Sequence, residues 1–231
     1  MRAVVFEHDE EAGIGLLGPA LQQAGFSLVK RFRTTRREDV DAELVVVMGG
    51  HMGVYEADQH PFLREELAVL SERLANERPC LGICLGAQML ASAAGAEVFL
   101  GKNGLEVGAL PVRWSQEALK DPVIAGVRPK TVMPHWHQDT FKAVPGATLL
   151  ASTDRYTQQA FRLGKSYGIQ FHMELDAAGL AYWLTQWKDK LTGRVKDVQE
   201  LHAQLPKLKA AEPEILELQH RLAHHFAKAV R

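Results

Sequence analysis

Apolar, strand-like segments alternate with segments of helical periodicity along the first 95 residues. Short apolar runs predict buried strands, and longer runs in which apolar residues recur every three or four positions predict helices. Strands that alternate with helices indicate a parallel sheet covered by helices on both faces. The predicted strands cover 2–8, 27–32, 43–48 and 79–83, and the predicted helices cover 15–25, 61–77 and 85–94.

The pattern changes after residue 95, where short extended runs are separated by turns. From Asp176 onward the periodicity is helical again, and Ile215, Leu218, Leu222 and Phe226 share one face of the last helix. We therefore expect one domain over residues 1–190 and a helical C-terminal extension over 191–231. The apolar face of that extension packs either on the domain or on a partner. The extended runs predict strands at 96–100, 105–114, 130–134, 147–153, 158–163 and 167–172.

Composition narrows the class of protein. The 231 residues carry 27 basic and 28 acidic side chains, and this net charge of −1 argues against nucleic acid as a partner. No apolar run is long enough to span a bilayer, and the N-terminus turns acidic too early for a signal peptide, so we expect no membrane association. Two cysteines cannot build a disulfide framework. We expect a cytoplasmic protein, in which a cysteine is free to be a nucleophile.

The segment Gly82-x-Cys84-x-Gly86 lies between a predicted strand and a predicted helix. This is the nucleophile-elbow pattern with cysteine in place of serine. A tight turn leaves no room for neighbouring side chains, which explains the two glycines. The free N–H groups and the positive dipole end of the following helix favour the thiolate. The alternative for Cys84 is a buried cysteine with packing glycines. Cys80, four residues earlier, lacks this context, and we expect it to be a small core residue.

A cysteine nucleophile needs a base, and His172 is the strongest candidate among ten histidines. An apolar strand ends at His172, and Glu174 follows two residues later, on the same face of an extended chain. The carboxylate can then accept from one imidazole nitrogen while the other nitrogen faces the sulfur. An exposed His-x-Glu at a strand end is the alternative.

Two further patterns in the sequence resemble ligand-binding motifs but have simpler interpretations. Residues 13–18 spell the dinucleotide fingerprint Gly-x-Gly-x-x-Gly, but three carboxylates at 9–11 precede it where a pyrophosphate would lie. We interpret it as the glycine-rich start of a helix. His220, His224 and His225 have the spacing of metal ligands on a helix, but no third kind of ligand accompanies them, so a solvated face is expected. We therefore expect no metal and no cofactor.

Three ordered segments together resemble the class I glutamine amidotransferases. They are Val-Val-Met-Gly-Gly-His-Met-Gly at 46–53, Gly-Ile-Cys-Leu-Gly-Ala-Gln at 82–88 and Gly-Ile-Gln-Phe-His-Met-Glu at 168–174. Weaker similarities between them resemble stand-alone proteins close to the GMP synthase glutaminase domain. The resemblance covers residues 1–190 and implies a flavodoxin-like, mostly parallel α/β sheet with helices on both faces.

The resemblance also implies a Cys-His-Glu catalytic triad. Cys84 would attack the side-chain amide of glutamine and form a γ-glutamyl thioester. His172 would protonate the departing ammonia and then activate water, and Glu174 would orient His172.

The same resemblance implies an oxyanion hole and a substrate site. The N–H groups of Leu85 and of Gly50 or His51 would hold the oxyanion. Two positions depart from the family pattern, because His51 and Met173 stand where proline is usual, so the geometry of both loops is open. The residues implied to face the substrate are Gln88, His137, Gln138 and Asp139.

Three functions are compatible with this interpretation. In the first, the chain is a glutaminase that supplies ammonia to a separate synthetase, since 231 residues leave no room for a fused one. Alternatively, it is a stand-alone γ-glutamyl hydrolase or peptidase that uses the same triad. The third alternative is a non-catalytic binding module, which has no need for all three triad residues.

Overall fold

The computed structural model describes residues 1–230, so Arg231, the last residue of the predicted extension, lies outside the described residues. Strands and short helices alternate up to residue 93, as the sequence predicts. The strands are β1 (Arg2–Glu7), β2 (Ser27–Phe32), β3 (Leu44–Val47), β4 (Cys80–Ile83), β5 (Val98–Leu100), β6 (Glu106–Trp114), β7 (Lys130–His137), β8 (Asp139–Phe141), β9 (Thr148–Ser152), β10 (Ala160–Leu163) and β11 (Ser166–Ile169). The α-helices are α1 (Leu17–Gln23), α2 (Pro61–Ala75), α3 (Leu85–Ala93), α4 (Ala177–Gln186), α5 (Val198–His202) and α6 (Leu205–Ala229).

Within residues 1–230, nine strands form one sheet in the order β2-β1-β3-β4-β11-β10-β9-β6-β7. The strands β2, β1, β3, β4 and β11 pair in parallel. From β11 outward each pairing is antiparallel, so seven of the nine strands run in one direction. The predicted fold class, a flavodoxin-like, mostly parallel sheet with helices, is confirmed. The strands β5 and β8 form a small separate sheet beside it.

The core has two layers because successive side chains of a strand point to opposite faces. In β3, Leu44 and Val46 join one buried cluster, whereas Val45 and Val47 join the other. The first cluster is covered by α1, α4 and α6, and the second by α2 and α3. Parallel strands that are buried on both faces are continuous apolar runs, which explains why they were recognisable in the sequence.

The helix α6 packs into the core of the sheet. Its residues Ile215, Leu218, Leu222 and Phe226 are at most 2% exposed and belong to the same cluster as the strands they cover. The apolar face predicted for the extension is therefore buried within this chain. The division into a domain of 1–190 and an extension of 191–231 stays a prediction. No helix among the described residues is long and apolar enough to cross a membrane.

Candidate active site

The turn between β4 and α3 holds Cys84 in an unusual backbone conformation. Cys84 has φ +52° and ψ −107° and occupies the N-cap position of α3. A non-glycine residue with positive φ is strained, and such strain is typical of functional sites. A Cβ atom on Gly82 would collide with the carbonyl of Gly86, and one on Gly86 would collide with the carbonyl of Val47. The glycines on both sides of Cys84 are therefore sterically required, as the sequence predicts.

The two cysteines lie in different environments. Cys84 is 6% exposed and lines the largest cleft near this turn, and its Sγ lies 3.9 Å from the carbonyl oxygen of Trp136. Cys80 is completely buried in β4, where the Nε of Arg73 donates to its Sγ over 3.4 Å. Burial raises the pKa of the Cys80 thiol, although the Arg73 guanidinium opposes the shift. Only Cys84 combines access with a helix N-terminus.

His172 and Glu174 follow β11, the neighbour of β4 in the sheet. The backbone N–H of His172 donates to the carbonyl of Pro134 over 2.8 Å, and its Nδ1 lies 2.7 Å from Glu174 Oε1. Its Nε2 is buried without a hydrogen-bond partner. Burial alone lowers the pKa of His172, but the carboxylate of Glu174 and then the nearby Cys84 raise it to about 10. Glu174 and Cys84 therefore both favour the imidazolium form of His172.

The glycine-rich loop after β3 lies against both groups. A Cβ on Gly49 would come within 3.3 Å of His172 Cε1 and 3.7 Å of Cys84 Cβ. Gly50 lines the same cleft as Cys84, and a Cβ there would come within 2.9 Å of the Leu85 side chain. The predicted oxyanion loop and the first turn of α3 are thus brought together.

A buried pair behind this loop fixes its backbone. His8 and Glu66 are both completely buried, and His8 Nε2 lies 2.7 Å from Glu66 Oε2. The other ring nitrogen, Nδ1, lies 3.1 Å from the carbonyl oxygens of both Met48 and Gly49. Two carbonyls can only accept, so Nδ1 carries a proton and donates to them. Sequence reasoning missed this pair, because its members are 58 residues apart.

The side chain of His51 contacts Asp9, Lys190 and Trp187. Its Nε2 lies 2.7 Å from Lys190 Nζ and 3.0 Å from Asp9 Oδ2, and its ring packs edge-on against Trp187. Burial, followed by the Lys190 ammonium, lowers the pKa of His51. His51 therefore ties the loop to the segment that follows α4.

The predicted substrate residues all line one cleft with Cys84. The cleft has a volume of about 510 Å³, which lies within the ~300–1,000 Å³ range of small-molecule sites. Its lining includes all four residues predicted to face the substrate: Gln88, His137, Gln138 and Asp139. The Gln88 amide donates to Gln170 Oε1 over 3.2 Å, and Tyr55 donates to the carboxylate of Asp139 over 3.0 Å.

Further residues around Cys84 and in the cleft were not found from the sequence. Lys190 and Arg194 bring two cations to the cleft, and Arg194 donates to Gln138 Oε1 over 2.6 Å. Trp183 packs edge-on against His172 with ring centroids 4.8 Å apart, and Trp187 lies next to Trp183. The signal in the sequence that could have identified the two tryptophans is their spacing, which places them on one helical face.

The glycine-rich turn near the N-terminus supports Glu174. Gly15 has φ +50°, and a Cβ there would collide with the backbone carbonyl of Glu174. The same carbonyl accepts the N–H of Leu16 over 2.9 Å. Glu11 accepts from the indole of Trp187 over 2.6 Å. These contacts fill the turn with the chain's own groups, in agreement with its interpretation as the start of a helix.

The arrangement suits acyl transfer. A cysteine at a helix N-terminus, an imidazolium beside it and a carboxylate that orients the imidazolium are the components of nucleophilic catalysis at a carbonyl carbon.

Comparisons with known proteins agree with this chemistry. A family model for class I glutamine amidotransferases matches residues 20–178. The glutamine amidotransferase-like protein YfeJ of Salmonella typhimurium is 30% identical over 136 residues, which are 57% of this chain and 56% of YfeJ. One subunit of the glutamine-hydrolysing GMP synthase of Haloarcula marismortui is 30% identical over 159 residues, which are 68% of this chain and 77% of the relative.

The fold has a solved counterpart. The crystal structure of a glutamine amidotransferase from Thermotoga maritima superimposes with a TM-score of 0.86 at 30% identity, and the match covers 99% of this chain and 98% of the other. The chain spans little more than half of the length of YfeJ, with 56% covered.

Proposed function

The chain belongs to the class I glutamine amidotransferase family, and from this premise we propose that it hydrolyses the side-chain amide of glutamine with Cys84, His172 and Glu174 as its catalytic triad. The observation that supports this proposal best is the strained Cys84 at the start of α3, beside the His172–Glu174 pair.

In the proposed first step, the Cys84 thiolate attacks the amide carbon and forms a tetrahedral oxyanion. The intermediate collapses to a γ-glutamyl thioester when the C–N bond breaks. His172 donates its Nε2 proton to the departing nitrogen, which leaves as ammonia. Glu174 holds Nδ1–H throughout, so that Nε2 keeps facing the sulfur.

The oxyanion hole would consist of the N–H groups of Leu85 and Gly50. The peptide between Gly49 and Gly50 is planar and trans, so its carbonyl and its N–H point in opposite directions. Because His8 holds the Gly49 carbonyl, the Gly50 N–H is held pointing away from His8. This supports a preformed hole, with the N–H of His51 as the alternative donor.

In the second step, neutral His172 takes a proton from water, which attacks the thioester carbon. A second oxyanion forms in the same hole, and its collapse releases glutamate and restores the Cys84 thiolate and the protonated His172. No cofactor takes part in the proposed reaction.

The ammonia needs an acceptor. The name of the Haloarcula relative describes it as one subunit of a synthase, and this supports a separate synthetase as the partner of the present chain. We expect the two chains to meet at the mouth of the cleft, through which ammonia would leave.

A second function is favoured by the size and charge of the cleft. A volume of about 510 Å³ is large for a single amino acid, and the lining includes the cations Lys190 and Arg194 as well as the carboxylates of Glu56 and Asp139. The two cations would suit a leaving group that carries a carboxylate. This observation supports the γ-glutamyl hydrolase alternative, in which an amine other than ammonia departs from the same thioester.

One experiment separates these functions. The purified protein is incubated with glutamine and with a panel of γ-glutamyl amines and peptides, and Cys84→Ala is the control. Glutamine turnover that Cys84→Ala abolishes would support the first proposal. Turnover of γ-glutamyl peptides with little turnover of glutamine would support the second. If no substrate reacts, even with lysate added to supply a synthetase, both proposals fail and the non-catalytic alternative stands.

A further inference from the structure

Three buried ligand-type side chains converge behind the cleft. Glu106 in β6 and His137 in β7 are directly opposite each other in the antiparallel pair. His135 precedes His137 by two residues and therefore points to the same face of the sheet. All three are buried: Glu106 is 2% exposed, His137 is 5% exposed and His135 is 0% exposed.

The donor atoms of this cluster are close and poorly satisfied. Glu106 Oε2 lies 3.1 Å from His137 Nε2 and 3.8 Å from His135 Nδ1. Neither ring nitrogen of His135 has a hydrogen-bond partner, and His137 Nε2 has none of normal geometry. Buried polar atoms are rarely left unpaired, so these three nitrogens require an explanation. A bound cation would satisfy two of them, Nε2 of His137 and one ring nitrogen of His135.

The groups around the cluster orient its donors as metal sites require. A histidine that binds a metal through one nitrogen usually donates its other N–H to a carbonyl or carboxylate. His137 Nδ1 lies 3.2 Å from the carbonyl of Asp139, which leaves Nε2 for a metal. Thr153 donates to Glu106 Oε1 over 2.6 Å, and the Gln159 amide donates to Oε2 over 2.5 Å. A carboxylate oxygen can accept twice, so Oε2 keeps one lone pair for a metal.

The cluster also offers the donor types that zinc binds. Two imidazoles and one carboxylate form a recognised donor set for zinc.

We propose that Glu106, His135 and His137 bind a divalent transition-metal ion of the zinc class. Tetrahedral zinc with bonds of about 2.0–2.2 Å separates its ligand atoms by roughly 3.3 Å. The three donor atoms lie within 4.8 Å of one another, so small side-chain rotations complete the geometry. The site differs from the three helical histidines that the sequence suggested, and it lies outside the proposed triad.

The bound ion would hold residues of the cleft in position and would take no part in the reaction. His137 lines the cleft, and its Nδ1 holds the carbonyl of Asp139. The Gln88 amide donates to the same carbonyl over 3.4 Å. Metal at the cluster would fix the His137 ring and, through it, the start of β8.

Metal binding is tested on the chain itself, without an activity assay. Protein freed of metal with a chelator is titrated with ZnCl2, and the stoichiometry and thermal midpoint are measured. We expect one ion per chain and a thermal midpoint that rises with zinc concentration, because the ion binds the folded state. CoCl2 should give the visible absorption bands of a tetrahedral site without the intense near-ultraviolet band of a thiolate ligand.

Variants distinguish this site from other metal-binding groups. Cys84→Ala should bind zinc as the wild type does, because its thiol is not a ligand. His135→Gln should bind roughly 100-fold more weakly or worse, and Thr153→Val about 10–100-fold more weakly. The exposed His224 provides the matched control, since His224→Gln should leave the affinity unchanged.

Three outcomes would overturn the proposal. They are the absence of stoichiometric binding by the wild type, equal affinities of the wild type and His135→Gln, and a thiolate band in the cobalt spectrum. The spectrum needs only the wild-type chain, so it decides the matter even if His135→Gln does not fold.

Discussion

His8 offers the sharpest test of how the oxyanion loop is held. Its Nδ1 donates to the carbonyl of Gly49, whereas its Nε2 faces Glu66. Asparagine places its amide nitrogen the same number of bonds from Cα as Nδ1, and glutamine places its amide the same number of bonds away as Nε2. His8→Asn therefore keeps the donor to Gly49, and His8→Gln keeps only the contact with Glu66.

The two variants should differ in turnover. Without the donor, the peptide that carries the Gly50 N–H is free to rotate away. Loss of one oxyanion donor costs about 10²–10³ in kcat, or about 2.7–4 kcal/mol. We expect a loss of this size for His8→Gln with little change in KM, because the N–H acts on the transition state. His8→Asn should stay within about 10-fold of the wild type, since the donor remains.

The two variants should lose similar amounts of their free energy of unfolding. His8→Asn leaves the buried Glu66 carboxyl group without its partner, and His8→Gln removes the single N–H that the carbonyls of Met48 and Gly49 share. Each loss should cost about 1–3 kcal/mol. Tyr167→Phe is a matched control, because it removes a buried hydroxyl that lies 3.1 Å from Asp121, away from the loop. It should lower the stability and leave kcat unchanged. The assay is steady-state hydrolysis of glutamine, or of the γ-glutamyl substrate that the panel identifies, with urea unfolding in parallel. Equal losses of kcat in His8→Asn and His8→Gln would refute the reasoning.

Three further predictions follow from other parts of the structure. An electrophilic glutamine analogue should modify Cys84 and spare Cys80, as peptide mass mapping would reveal; modification of Cys80 instead would contradict the site. Activity should fall as the pH rises through about 10, where the imidazolium loses the proton that it donates. Glu174→Gln removes the main cause of that raised pKa, so the fall should move to lower pH, and an unchanged profile would count against the pair. Leu222→Ala should lower the free energy of unfolding by about 2–5 kcal/mol, whereas the exposed Leu216→Ala should change it by no more than about 0.5 kcal/mol; similar values for both would mean that α6 is not packed as described.

The fold was predictable where local patterns decide it. The parallel strands are buried on both faces, so each is a short apolar run, as in β3. The strand β7 was predicted to end at Pro134 but continues to His137. It is the edge strand of the sheet, where a residue without an N–H is tolerated, and sequence alone did not indicate that position. The extra length carries both histidines of the proposed metal site.

The candidate site was predictable where its residues are neighbours in the sequence. The elbow around Cys84 and the spacing of His172 and Glu174 each fit within one short segment. The pair of His8 and Glu66 and the cluster around Glu106 form only when distant elements of the chain meet. Apart from His135 and His137, which are two residues apart on one strand, their members have no local spacing that would indicate a contact.

Three tryptophans around Cys84 and His172 give the protein an optical signal of its own. Trp136, Trp183 and Trp187 form one aromatic group, with edge-to-face contacts between Trp136 and each of the other two. The ring of His172 lies against Trp183 at 4.8 Å. A protonated imidazole in contact with an indole quenches its emission, so the intrinsic fluorescence should follow the charge of His172 and the filling of the cleft. Thioester formation could then be timed on the unlabelled chain.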